Sequence, residues 1–214
     1  MVGIIYGEES KFGAAVIAGV RALQQQNNDL RVRYTIAMND PRNVIDAYKG
    51  KPLEAIVAEL DARDHGLHIA VENTERDFNM GTIVRNANAF GVRHVHVIGR
   101  RQWNKRGAMM TDKYLHVHYY GSLDEFVSEM ARLGRVIIAV DNVPGSVGLA
   151  ETSLPRDAVL VFGAEGPGIS EELAAKAEQI VAIEQFGSTR SVNVGVAAGI
   201  AMYAWVQQHA LSAR

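Results

Sequence analysis

The chain has 214 residues, 48% of them hydrophobic and 21% charged, enough to bury a substantial core as one domain with at most a small appendage. It contains no cysteine, which excludes disulfides, thiolate metal sites and cysteine nucleophiles and fits a reducing compartment. Its net charge of −2 is unevenly spread: residues 85–120 hold seven bases against one acid, a local +6 that leaves −8 elsewhere. Such asymmetry can mark an anion-binding face.

In chain order, the first apolar run, Val2–Tyr6, has no basic segment before it and is cut off by Glu8 to Lys11, so it reads as a strand and not as a secretory leader. A helix over Gly13–Gln26, a loop at Asn27–Asp29, a strand over Arg31–Ala37 and a loop over Met38–Gly50 follow. Pro52 suits the first turn of a helix that runs to Ala62. Beyond it the predicted strands are Leu67–Val71, His94–Ile98, Leu115–Tyr119, Val136–Val140, Val159–Phe162 and Ile180–Ile183. The predicted helices between and after them are Gly81–Phe90, Leu123–Leu133, Glu171–Lys176 and Val192–Gln208, with Ser122 and Glu125 as a capping box. Val/Ile-rich strands alternating with helices predict an α/β fold, its mostly parallel sheet covered on both faces. Residues 1–62 are expected to form a small N-terminal appendage and 63–214 the main domain. The apolar run Val194–Val206 falls short of the roughly 20 residues of a membrane span, so a soluble cytoplasmic protein is expected.

Three segments place polar side chains beyond strand ends, where open α/β sheets bind ligands. The first, Asn79 to Val92, opens a helix with Asn79 as its expected cap and carries Arg85 and Asn86 inside it. The second, LVFGAEGPGIS from Leu160, sets Glu165 among glycines; Gly163 permits close backbone approach to a ligand, and Gly166 and Gly168 permit unusual turns. It is neither a dinucleotide fingerprint nor a P-loop. The third, GSTRSVNVGVAAGIAMYAW from Gly187, leads a polar loop into an apolar helix through Ser191 and Asn193. Asn193, Ala197, Ala201 and Ala204 share one stripe, on which another helix could approach closely. Taken singly, each segment also fits a capped core helix or a strand–turn–helix with solvated polar groups.

Taken in order, the patterns strand-N-x-G-x-x-x-R-helix, F-G-A-E-G-P-G and I-x-x-x-G-x-x-x-S-V-N-V-x-V-A-A resemble the three signature motifs of the SpoU/TrmH family, RNA ribose 2′-O-methyltransferases of the SPOUT superfamily. The resemblance spans about two thirds of the chain, from Leu67 to Val206. It implies a C-terminal trefoil knot, a rare exception to ordinary chain topology, with S-adenosylmethionine bent inside it. Gly163, Ile183 and Val192 match cofactor positions, with Asp141 and Asn142 as weaker candidates. Asn79, Arg85, Glu165, Ser191 and Asn193 match the catalytic set. The resemblance further implies a homodimer joined through the first- and third-motif helices.

The basic segment would then contact RNA through Arg100, Arg101, Lys105, Arg106 and Lys113, interleaved with Trp103 and Tyr114. The pairs His94/His96 and His116/His118 alternate on strands, with no carboxylate at ligand spacing, and read as half-exposed strand faces and not as a metal site. The third motif departs from the commonest family version, with Ile183-Glu184-Gln185-Phe186 where Ile-Pro-Met is usual. That departure, Arg190 before Ser191, and the short N-terminus favour tRNA over ribosomal RNA. The competing readings are a catalytically silent RNA-binding homologue, an oxidoreductase lacking its G-x-G-x-x-G, and a serine hydrolase on Ser191 lacking a nucleophile elbow.

Overall fold

The computed structural model describes residues 40–73 and 79–211. The elements expected before residue 40 lie outside the described residues. Contacts divide the chain into two compact units, Met1–Ile56 and Val57–Arg214. In the first, the Asp40 carboxylate gathers the loop, accepting from Arg42 N at 3.0 Å, Gly50 N at 2.8 Å and Arg42 Nη2 at 2.6 Å. Helix α1, Leu53–Asp61, spans the division.

The second unit is a seven-stranded sheet whose adjacent strands are all parallel: β1 His68–Asn73, β2 His94–Gly99, β3 His116–Tyr120, β4 Val136–Val140, β5 Val147–Gly148, β6 Ala158–Phe162 and β7 Gln179–Ala182. The order is β3-β2-β1-β6-β4-β7-β5. Four helices cover it: α2 Met80–Ala89, α3 Leu123–Arg132, α4 Glu171–Lys176 and α5 Val194–Val206. Each predicted element after residue 50 is present within one or two residues at its ends. The two-residue β5 was not anticipated, since two residues carry no periodicity.

The strands are apolar on both sides because both faces are buried. One face packs Ile69, Val71, Val95, Val97, Leu160 and Phe162 under α2 and α5. The other packs Ala70, Ile98, Val159 and Val161 under Phe126 and Met130 of α3 and Leu173 of α4. Three side chains start helices: Ser122 accepts from Glu125 N, Ser170 from Leu173 N, and Asn193 from Gly195 N and Val196 N. The expected capping box is half made, because Glu125 Oε2 accepts from Gly121 N and not from Ser122 N.

Helices α2 and α5 lie close together. A Cβ on Gly195 would meet Thr82 Cγ2 at 3.0 Å, one on Gly199 would meet Asn86 Nδ2 at 3.1 Å, and Asn86 Nδ2 donates to Gly195 O at 3.0 Å. The approach of α2 to α5 is made along Gly195 and Gly199, while Ala201 of the predicted stripe is buried in the core.

Candidate active site

Strand order brings the three motifs to the carboxyl edge of the sheet. β1 and β6 are neighbours, so the end of β1, the start of α2 and the glycine loop after β6 share a pocket lined by Glu72, Asn73, Asn79, Gly163, Glu165 and Val194, among others. Asn193 reaches the same place from the start of α5, its Nδ2 donating to Asn79 Oδ1 at 3.1 Å. Asn79 holds the first position before α2 with helical angles, φ −97° and ψ −8°, and makes no side-chain cap bond. The expected cap is thus corrected: the Asn79 side chain is turned to Asn193.

The pocket joins Asn79 and Glu165, and Asn193 binds Asn79. Arg85 and Ser191 are exposed and do not line it. Of the expected cofactor residues, Asp141, Gly163 and Ile183 follow β4, β6 and β7, which are adjacent in the order β6-β4-β7, so they lie along one edge. Val192 is half-buried and Asn142 exposed. Gly163 has no room for a side chain. A Cβ there would lie 2.0 Å from Gly168 C and 2.2 Å from Ile169 N, so the backbone that approaches it belongs to its own loop. Gly166 and Gly168 do take left-handed angles, φ 106° and 78°. The Asp141 carboxylate is also occupied within the chain, accepting from Asn142 N at 2.7 Å and Ile169 N at 2.9 Å.

Two site residues escaped sequence reading. Glu72 and Asn73 end β1, are 5% and 3% exposed, and line the pocket. Their signal was a carboxylate and an amide directly after the apolar run Ile69–Val71. Asn73 Nδ2 donates to Arg100 O at 2.6 Å and Gln102 O at 3.1 Å, tying the start of the basic segment to the pocket wall.

The basic segment needs three corrections. Arg93 is 2% exposed and ion-paired to Asp61 at 2.8 Å, so it contributes nothing to a surface field. Lys105 is exposed but bound to Asp112 at 2.9 Å, and that hydrogen bond raises its pKa. Trp103 and Tyr114 are buried, so neither is an open stacking platform. Arg100, Arg101, Arg106 and Lys113 are exposed; the Arg101 guanidinium lies 4.8 Å over the Tyr119 ring.

The histidines form a ladder on the α3 face. Strand register sets His68 beside His94 beside His116, and His96 beside His118. Ring centroids lie 4.5 to 5.3 Å apart. His68 Nδ1 meets His96 Nε2 at 3.0 Å, His94 Nδ1 meets His118 Nε2 at 3.1 Å, and His96 Nδ1 meets Tyr120 OH at 3.0 Å. His96 is 1% exposed, which corrects the half-exposed reading. Nitrogens paired edge to edge do not converge on a point, and among the described residues no group of three or more side chains could hold a metal ion. Burial first, and neighbouring positive charge second, push His68 down to about 2 and His96 down to about 3.

Known proteins similar to this chain are named as RNA-modifying enzymes. A tRNA (guanosine(18)-2'-O)-methyltransferase of Escherichia coli is 26% identical over 147 residues, 67% of this chain and 64% of that protein. The chain thus spans less than two thirds of that relative's length. The Aquifex aeolicus protein of the same name is 27% identical over 157 residues, covering 72% of this chain and 74% of that one. A crystal structure of an A. aeolicus TrmH/SpoU tRNA modifying enzyme superposes with a TM-score of 0.67 at 25% identity, covering 75% of this chain and 84% of that chain. Residues 66–203 match the SpoU rRNA Methylase family, the stretch that holds both the pocket and the sheet around it, and the chain belongs to that family.

Proposed function

We propose that this protein is an S-adenosylmethionine-dependent methyltransferase acting on a ribose 2′-hydroxyl of RNA, with tRNA as the favoured substrate. The observation that carries the reading is the meeting of Asn79, Glu165 and Asn193 at one pocket, although 86 residues separate the first two and 114 the outer pair. The matched relatives are named as tRNA enzymes, and ribosomal RNA is the alternative substrate suggested by the family's own description.

The cofactor would be held by backbone and side-chain groups at Asp141, Asn142, Gly163, Ile183 and Val192. One observation suits a ligand there: Gln185 Oε1, two residues beyond Ile183, is buried and makes no hydrogen bond among the described residues. When bound, the sulfonium supplies an electrophilic methyl group for in-line displacement. The protein's task is to position the ribose oxygen and manage its proton. Glu165 and Asn79 orient the hydroxyl, and Ser191 with Asn193 hold the sugar or its phosphate. Arg85 binds the neighbouring phosphate and stabilises developing negative charge. Arg100, Arg101, Arg106 and Lys113, with Lys105 once released from Asp112, track the backbone.

A C-terminal trefoil knot, a methyltransferase domain over 63–214 with an N-terminal appendage over 1–62, and a cytoplasmic homodimer complete the proposal. Val196, Ile200 and Tyr203 support the dimer: they are 51%, 41% and 45% exposed on α5, an apolar face suited to a second copy. Among the described residues no helix is long and apolar enough to cross a membrane. The test is incubation with methyl-labelled S-adenosylmethionine and separated tRNA and rRNA, followed by mapping of 2′-O-methyl positions. Label in tRNA is expected; no transfer to either RNA overturns the activity.

A further inference from the structure

The glycine loop after β6 is folded back on itself. Ala164 N donates to Gly168 O at 3.1 Å and Gly168 N to Ala164 O at 3.0 Å, closing a hairpin whose exposed tip carries Glu165. Its base is gripped from both sides by the strands that flank β6. From β4, Asp141 accepts from Ile169 N. From β1, Glu72 accepts twice from the next residue, Ser170 N at 2.8 Å and Ser170 Oγ at 2.7 Å. The hydroxyl oxygen passes the connection on, accepting from Leu173 N at 3.0 Å to start α4. Glu72 lies within the fold at 5% exposure, lines the pocket and has no place in the methyl-transfer chemistry proposed above.

We infer that Glu72 is a positioning residue: its two carboxylate oxygens fix Ser170, hence the base of the hairpin, and so set Glu165 opposite Asn79. The argument is one of donors and acceptors. Ser170 offers two donors, N–H and O–H, and the two carboxylate oxygens of Glu72 answer one each. A glutamine has one acceptor oxygen: its NH2 must face either Ser170 N, which it cannot answer, or Ser170 Oγ, which must then turn its hydrogen away and give up the bond it donates. Beyond the grip of Glu72 and that of Asp141, the hairpin is held by its own backbone: Gly163, Gly166 and Gly168 add no side chain, and the tip from Glu165 to Pro167 is exposed. A shift of about 1 Å in a positioned group can cost on the order of 100-fold in rate.

This inference rests on the proposed methyltransferase reading, and the test separates the two. Full-length wild type, Glu72→Gln, Ser170→Ala and the double variant are compared in three measurements: S-adenosylhomocysteine titration by calorimetry to count competent sites, methyl transfer at saturating donor and RNA, and hydrogen exchange at the Ala164 and Gly168 amides. Glu72→Gln is expected to lower kcat per competent site by roughly 10- to 100-fold, to change the RNA KM by less than about threefold, and to speed exchange at both amides. The double variant is expected to be no slower than the slower single, since both substitutions break one contact. Should Glu72→Gln not fold, Ser170→Ala is read on the same three measurements. Unchanged kcat per competent site, or a loss explained wholly by fewer sites, overturns the role of Glu72. Wild type that binds S-adenosylhomocysteine but transfers nothing, or binds none, overturns the methyltransferase reading and with it this assignment.

Discussion

The Asn193 side chain accepts two backbone hydrogen bonds with its oxygen and donates one with its nitrogen, so its two ends can be tested apart. Asn193→Asp keeps the oxygens that cap α5 but cannot donate to Asn79 Oδ1; it is expected to unfold at the same urea concentration as wild type while turnover falls about tenfold or more. Asn193→Ala loses both ends, and should add a stability cost of about 1 kcal/mol. Equal turnover of wild type and Asn193→Asp would detach the Asn79 contact from catalysis. Residue types and order made this site legible: Asn79, Glu165 and Asn193 were all read from motif spacing. What spacing could not tell is where each side chain turns. Asn79 sits where a cap belongs, yet it bonds Asn193, and the backbone packed against Gly163 is that of Gly168, from its own loop.

At the scale of elements, the histidine ladder exists because parallel register stacks equal positions of β1, β2 and β3. Alternation within β2 and β3 was visible in the sequence; that His68 completes the row was not, since strand neighbours are set by tertiary pairing. Asp61 beside His116, Asp64 near His94 and Glu129 near His118 face the ladder, as does Arg135, whose charge opposes protonation of His68. The folded values of His68 and His96 lie below the ordinary 6.5, so the unfolded chain binds the protons that these rings refuse. Their contribution to stability is full above pH 6.5 and is lost as the pH falls towards the folded values. By pH 5 the loss is on the order of 2 kcal/mol for each of these two buried rings. Urea titrations at pH 7.5 and 5.0 should show the drop, and His96→Gln should shrink it. Equal stability at the two pH values would mean that the rings charge without cost.

For the whole molecule, two surfaces carry testable consequences. Ile200→Glu with Tyr203→Glu places charge on the exposed face of α5; on the proposed dimer, wild type is expected to sediment as a dimer at equilibrium and the variant as a monomer, and a wild-type monomer would remove the dimer. Arg100→Glu with Arg101→Glu is expected to weaken RNA binding and flatten its dependence on salt, the slope of log affinity against log salt falling by about 1 to 2. Unchanged slopes would point to another RNA face. The order β1-β6-β4 has a consequence in time. β6 joins two half-sheets, one holding β1, β2 and β3, the other β4, β7 and β5, and residues 158–162 leave the ribosome some ninety residues after β1. Until then a nascent chain has nothing to lay between β1 and β4, and their inward edges stay unpaired. Pairing across such separations is slow, so the interval before β6 arrives is when this protein is most open to aggregation and most in need of a chaperone.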